Sequence, residues 1–572
     1  MSSQPGTLEP SGDLLLTGCL RLLAGETRPV RTAVLCHDGK IAAAAPSPDG
    51  ALAAARRDGH QIAPSTVVAD LGGALLLPGL HDCHVHLAAT GLDLLAASLR
   101  GCKSLDDVWS ALHAADRTRL HQGPLLAGNG LNELNLAERR MPTLTELDHH
   151  FAGVPVLLSR VDGHSCVVNS AAWKVLGLPF SPDGPYPEGV DVDSATGRAT
   201  GCLRATANAT AQRRRESLLT DADRERAVLR GAELAADAGC TTVHCLEGGG
   251  VGALDDADAV LRLRDRLPVR TVVFAQTTDV SWAVERGMAQ IGGCLLVDGS
   301  LGSHTAALRE PYADRPETSG TLYFSDDALR HFLAEAEAAR LQVALHTIGD
   351  AAIEQALCAW EAVAAARPAP VTAAGASPRA DRAPRAIVPH RLEHFSLPGA
   401  DHIRRAVALG LTLSVQPSWA RADNTYPAQL GQLRLGPARA ERLYPLYSLL
   451  AAGAPVCGGS DSPVAPLDPM FGLVGAVDHF RPAESLRLDE AVALFAANAA
   501  AAGGPDLPLR GRIRAGLAAD MTIVRMGDSE GRGEDTGTDP LSWHVLGTVV
   551  AGGLRLNAVG HGILGLSPGT PR

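Results

Sequence analysis

Beyond residue 239 the chain alternates short apolar runs of β-rich composition with helical patterns, which predicts βα units and a parallel sheet. The runs are Thr241–Cys245, Val269–Ala275, Gly293–Val297, Gln342–Leu345, Ile387–Leu392, Leu411–Val415 and Pro455–Gly459; an earlier run that leads into His84 makes eight. Asp326–Arg340 and Ala351–Ala365 read as helices between them. Eight strands with helical crossovers predict an α/β fold, a (β/α)8 TIM-type barrel, whose catalytic groups sit where strands end. About 150 residues separate the first two runs, more than one crossover needs, so residues 90–235 are expected to form an inserted subdomain. It carries GNGLNE (128–133) and RVDGHSCVVNS (160–170), polar turn-rich stretches suited to a lid or substrate wall.

Apolar and polar positions alternate over Asp13–Ala45 around the turn His37-Asp38-Gly39-Lys40, and again over Ala519–Val524 and Val545–Leu556 around Gly552-Gly553. These segments predict a small composite β-sandwich built from both termini. The expected organisation is 1–74 for its N-terminal part, 75–500 for the barrel with its insertion, and 501–572 for its C-terminal part. The Pro/Ala-rich run 367–384 reads as a surface excursion and the polar segment 527–538 as a loop.

Composition narrows the setting. With 46% hydrophobic and 20% charged residues the chain has the balance of a soluble globular protein. Its formal charge of -12 argues against a nucleic-acid partner, since phosphate binding needs clustered Lys and Arg, and the one dense basic run, Arg213-Arg214-Arg215, is short. No basic region followed by an apolar core opens the sequence, and no apolar stretch approaches a bilayer span, so no membrane partner and a cytoplasmic location are expected. Eleven scattered cysteines without CxxC spacing read as buried hydrophobes. A small-molecule substrate and a homodimer fit this picture.

The candidate chemistry lies at the strand ends. LPGLHDCHVHL (77–87) places His84 and His86 two residues apart, on one face of a strand, where both imidazoles reach one ion. A short HxH motif recurs by chance as two solvated loop histidines. His346 in LHTIGD, His394 in HRLEH and Asp461 in GGSDSPV also end strands, however, and their convergence on one barrel mouth predicts a divalent metal site of zinc type. Alternation points Cys83 away from that ion.

Taken together, DGKIAAAAP, LLLPGLHDCHVHL, VDGHSCVVNSAAW, VDGSLGSHTAAL, LHTIGDAAIEQAL, HRLEHFSL, SVQPSW, GGSDSPVAPLDPM and GRIRAGLAADMTIV resemble the amidohydrolase superfamily, specifically amidohydrolase family 3, over nearly the whole chain. The resemblance implies hydrolysis of amide-like C–N bonds. Asp461 would then be both metal ligand and proton acceptor, and His394 either a second-site ligand or the group that polarises the substrate carbonyl. His164 and Asp298 are carried over as substrate-side residues, Asp298 also shaping the loop after the fourth strand. Family members usually carry a lysine four residues before that aspartate, whose carbamate bridges two metals; here the position is Cys294.

Without that bridge one ion on His84, His86, His346 and Asp461 is expected rather than two, because neighbouring cations repel in a low-dielectric cavity. The competing reading makes Cys294 a thiolate bridge. The sequence thus predicts a metal-dependent hydrolase of a non-peptide C–N bond in a small amide, formamide or carbamate. The alternatives are a deaminase of a cyclic amidine or aminated ring, and a ligand-binding pseudoenzyme.

Overall fold

The computed structural model describes residues 12–22, 29–117, 125–160, 165–178, 184–249, 252–366, 389–504, 507–527 and 543–564. His164, the run 367–384 and all but the first residue of segment 527–538 lie outside them. The chain divides into two compact units, 1–86 with 232–572, and 87–231.

In the first unit eight strands form one sheet: β1 Leu80–Val85, β2 Cys240–Gly248, β3 Arg270–Gln276, β4 Gln290–Leu296, β5 Gln342–Thr347, β6 Arg391–His394, β7 Thr412–Val415 and β8 Val456–Gly458. They pair in chain order from β1 to β8, all parallel. A parallel bridge from Val85 to Ser462, with Asp461 N donating to His84 O at 2.7 Å, brings the end of β8 back to β1 and nearly closes the barrel. The expected (β/α)8 architecture is therefore present.

Strand alternation explains its two faces. Val343, Leu345, Leu392, Leu413 and Val456 point outward into the main apolar core, against Leu329, Leu333, Ile353, Leu357 and Trp360 of the helices Asp326–Ala338 and Asp350–Ala365. Leu246, Val272, Phe274, Cys294 and Ala344 form a separate cluster inside the sheet. The fourth strand begins three residues before its predicted start. Gly292 and Gly293 both have positive φ and sit in a register break against β5. A Cβ at Gly292 would lie 2.5 Å from Ala344 O, so only glycine fits this bulge.

Strands from both termini join in one mixed, continuous eight-stranded sheet, with Leu75–Pro78 linking Leu14–Arg21 to Met521–Arg525. Leu14, Leu16, Val34 and Ile41 share a core with Met521, Ile523, Leu546 and Val549, which ties the two ends of the chain together. In the second unit six strands form a sheet in which Leu126–Leu131 and Val156–Arg160 run parallel. The stretches GNGLNE and RVDGHSCVVNS, expected as turns, contribute to the strands Leu126–Leu131, Val156–Arg160 and Ser165–Val168. Leu157, Cys166 and Val168 serve one apolar cluster and Leu158 and Val167 another, so this sheet is covered on both faces. That double burial replaces the polar alternation that would have marked them as strands.

Candidate metal centre

The barrel gathers His84, His86, Cys294, His346, His394 and Asp461 into one cluster. Three overlapping groups have ligand atoms within 4.8 Å of one another: His84 with His86 and Cys294, Cys294 with His346 and His394, and His84 with His394 and Asp461. His84 and His86 leave β1 on one side, whereas Cys83, just before them, packs with Cys457, Ala499 and Ala502. His394 and Asp461 both adopt positive φ, 68° and 63°. At His394 this turns consecutive residues inward together: Glu393 reaches His84 while His394 reaches Cys294. Backbone strain of this kind is retained where surrounding contacts enforce it.

Three of the four imidazoles have one nitrogen anchored, and His346 Nδ1 lies beside a carboxylate without a hydrogen bond. Nδ1 of His84 lies 2.8 Å from Glu393 Oε2, and Nδ1 of His86 donates to Leu246 O at 2.7 Å. Nδ1 of His394 donates to Gln416 Oε1 at 2.8 Å, and Nδ1 of His346 is 3.3 Å from Asp298 Oδ1. Acceptors at Nδ1 fix the proton there and leave Nε2 with its lone pair facing the cluster, the arrangement that orients metal-binding histidines. Nε2 of His84 is buried and makes no hydrogen bond, although Asp461 Oδ1 lies 3.2 Å away; the same oxygen is 3.4 Å from Nε2 of His86. Zinc bonds of about 2.0–2.2 Å to nitrogen and oxygen set tetrahedral N···O edges near 3.4 Å, so these spacings fit one divalent cation.

Electrostatics agree. Burial disfavours charge on His84, but Cys294 and Asp461 outweigh it and raise its pKa well above the usual histidine value. Burial likewise opposes ionisation of Asp461 and of Cys294, yet the surrounding histidines hold both well below their ordinary values. Two anionic donors amid imidazoles call for positive charge, which a divalent cation supplies in exchange for protons.

Asp298, expected beside substrate, is fully buried on the far side of His346. Its Oδ1 accepts from Ile348 N, and its Oδ2 from Ala307 N and Gly349 N, at 2.8–3.0 Å. It anchors the loop after β4 and lies beside His346 Nδ1. His164 lies outside the described residues.

Four participants were missed by sequence reasoning. Glu393 holds His84 and is itself paired with Arg391, Nε to Oε1 at 2.8 Å, both side chains without exposed surface. Gln416 holds His394, and Asp82 accepts from the backbone N–H groups of His84 and Ser460, pinning β1 to the end of β8. The available signal was the opposite charge pair at i and i+2 in HRLEH, which puts Arg391 and Glu393 on one face of a buried strand.

Gly459 shows how closely the backbones meet. A Cβ there would lie 2.5 Å from His84 N and 2.7 Å from His84 Cβ. Gly459→Ala is expected to displace His84 and weaken metal retention roughly tenfold, as loss of an orienting contact does. Metal content after dialysis checks this; wild-type retention would show that β8 yields instead.

Comparison with known proteins follows the same lines. The Amidohydrolase family profile matches residues 67–552. The chain is 28% identical to the Bacillus subtilis (strain 168) protein YtcJ, over 84% of this chain and 88% of that one. It is 25% identical to an N-substituted formamide deformylase of Arthrobacter pascens, over 75% and 80%. A metal-dependent hydrolase from Pyrococcus furiosus superposes with a TM-score of 0.70 at 24% identity, covering 89% of this chain and 98% of that one. With the profile spanning the barrel and the histidine cluster alike, this chain belongs to amidohydrolase family 3.

Proposed function

We propose that the protein is a zinc-type hydrolase that cleaves a non-peptide C–N bond in a small amide, formamide or carbamate. The observation that carries this reading is the convergence of Asp461 Oδ1 on Nε2 of His84 and of His86, at 3.2 and 3.4 Å, with the other nitrogen of each histidine held by an acceptor. Similarity to an N-substituted formamide deformylase supports the bond class.

His84, His86 and Asp461 would hold a divalent cation, whose chemistry would be to lower the pKa of a water from about 15.7 toward 7. Asp461 then accepts the water's proton, and the water oxygen bonds to the carbonyl carbon. The C–N bond breaks, its electrons pass to nitrogen, and Asp461 returns the proton to the departing amine. His394, whose Nδ1 is committed to Gln416, turns its Nε2 toward the same cluster.

A screen of amides, formamides and carbamates tests this. Turnover is expected to disappear on chelation and to return with Zn, Mn or Co, releasing an organic amine. Turnover that survives complete metal removal sinks the mechanism, and ammonia as the sole nitrogen product moves the protein to the deaminases. Among the described residues no helix is long and apolar enough to cross a membrane.

A further inference from the structure

We propose that Cys294 is a thiolate ligand shared by two divalent cations, one completed by His84 and His86, the other by His346 and His394. This rests on the metal-dependent hydrolase reading and goes beyond it, because it gives the site a bridge built into the chain in place of a modified lysine.

Cys294 is the one residue common to both histidine pairs: its Sγ lies within 4.8 Å of the donor atoms of His84 and His86 and, separately, of His346 and His394. The Gly292-Gly293 bulge in β4 immediately precedes it, and the residue is buried. Sγ stands 3.6 Å from Nε2 of His394. Zinc bonds of about 2.3 Å to sulfur and 2.0–2.1 Å to nitrogen give a tetrahedral S···N edge of about 3.6 Å, so this hydrogen-bonded gap is also the width a shared cation requires. Cysteine is shorter than a carbamylated lysine, but the cluster is drawn in around it: the ring centroids of His394 lie 4.4 Å from His346 and 4.9 Å from His84.

Glu393, the Leu246 carbonyl and Gln416 hold Nδ1 of His84, His86 and His394, and Asp298 Oδ1 lies 3.3 Å from Nδ1 of His346, so the Nε2 atoms are the ones placed to bind two ions. A neutral His394 held this way is a ligand and not a hydrogen-bond donor to a carbonyl. The repulsion that argues for a single ion is relieved when an anion lies between the two charges, and the thiolate, formed as the entering metal displaces the thiol proton, is that anion.

The full-length protein titrated with Co2+ alone decides the matter. Two equivalents are expected to bind, with a sulfur-to-cobalt charge-transfer band in the near ultraviolet that grows through both equivalents. Cys294→Ser is expected to lose the band and hold one equivalent at most, while Cys358→Ser, at an exposed thiol, keeps both. The wild-type titration decides even if Cys294→Ser fails to fold, since a band that stops growing after one equivalent places sulfur on one ion only and overturns the proposal. Two equivalents retained in Cys294→Ser, or no band in the wild type, also overturn it. One equivalent in an active wild type defeats the shared ligand but leaves the hydrolase reading standing; no bound metal defeats both.

Discussion

Asp461→Asn is expected to lower kcat about a thousandfold while the fold and most of the bound metal remain, because a positioned general base contributes about 10²–10⁴ in rate. The amide keeps one oxygen in the place of Oδ1, now 3.2 Å from His84 Nε2, but it cannot accept the proton of the attacking water. The substitution is also conformationally mild. Asp461 occupies positive φ, which asparagine tolerates as well as any non-glycine residue, and its backbone N–H bond to His84 O is untouched. Turnover on the best substrate from the screen, read beside metal content, checks the result. Wild-type kcat in a metal-loaded variant would remove Asp461 from the base role. Loss of the metal together with turnover would make it a ligand first.

Arg391→Met is expected to destabilise the barrel by about 3–5 kcal/mol, the cost of leaving one partner of a buried ion pair unmatched. Arg391 spans the interior, bonding Glu393 through Nε and Nη2, His244 Nδ1 at 2.9 Å, Cys83 O at 2.6 Å and Ser414 Oγ at 3.1 Å. Burial raises the pKa of Glu393, but the Arg391 charge outweighs it and holds the carboxyl at about 2. A depressed folded value contributes stability above the ordinary value of 4.5, lost as pH falls toward 2. In Arg391→Met the outweighing charge is gone, so Glu393 takes up a proton and the stabilisation is missing at neutral pH. A lower melting temperature at pH 7, with the gap to wild type closing as pH falls, checks the sign. Glu393→Gln should retain more stability yet bind metal about 10–100-fold more weakly, because the charged acceptor on His84 Nδ1 is lost. Unchanged metal affinity in that variant would make Glu393 a packing residue only.

The sequence by itself determined the barrel, the donor types and their placement at strand ends. These follow from local rules: period-2 alternation puts His84 and His86 on one side and Cys83 on the other, and turn residues mark where strands stop. The mixed sheet from both termini was readable from its short β-rich runs set off by the turns His37-Asp38-Gly39-Lys40 and Gly552-Gly553. The inserted unit was misread in part, since strands covered on both faces and interrupted by glycine lose that alternation. Only the tertiary structure decided what each donor touches. Glu393 meets His84 across 309 positions of chain, and Gln416 is an unremarkable polar residue until β6 and β7 lie side by side. His394 turns inward through positive φ, which no periodicity announces. Cys294 was a candidate bridge in the sequence only by its position before Asp298, and it is the Gly292-Gly293 bulge and the ends of three other strands that set its sulfur between two pairs of imidazoles. The division has one physical cause: alternation and turn chemistry act over a few residues, whereas coordination depends on distances between strands that only closure of the barrel brings into being.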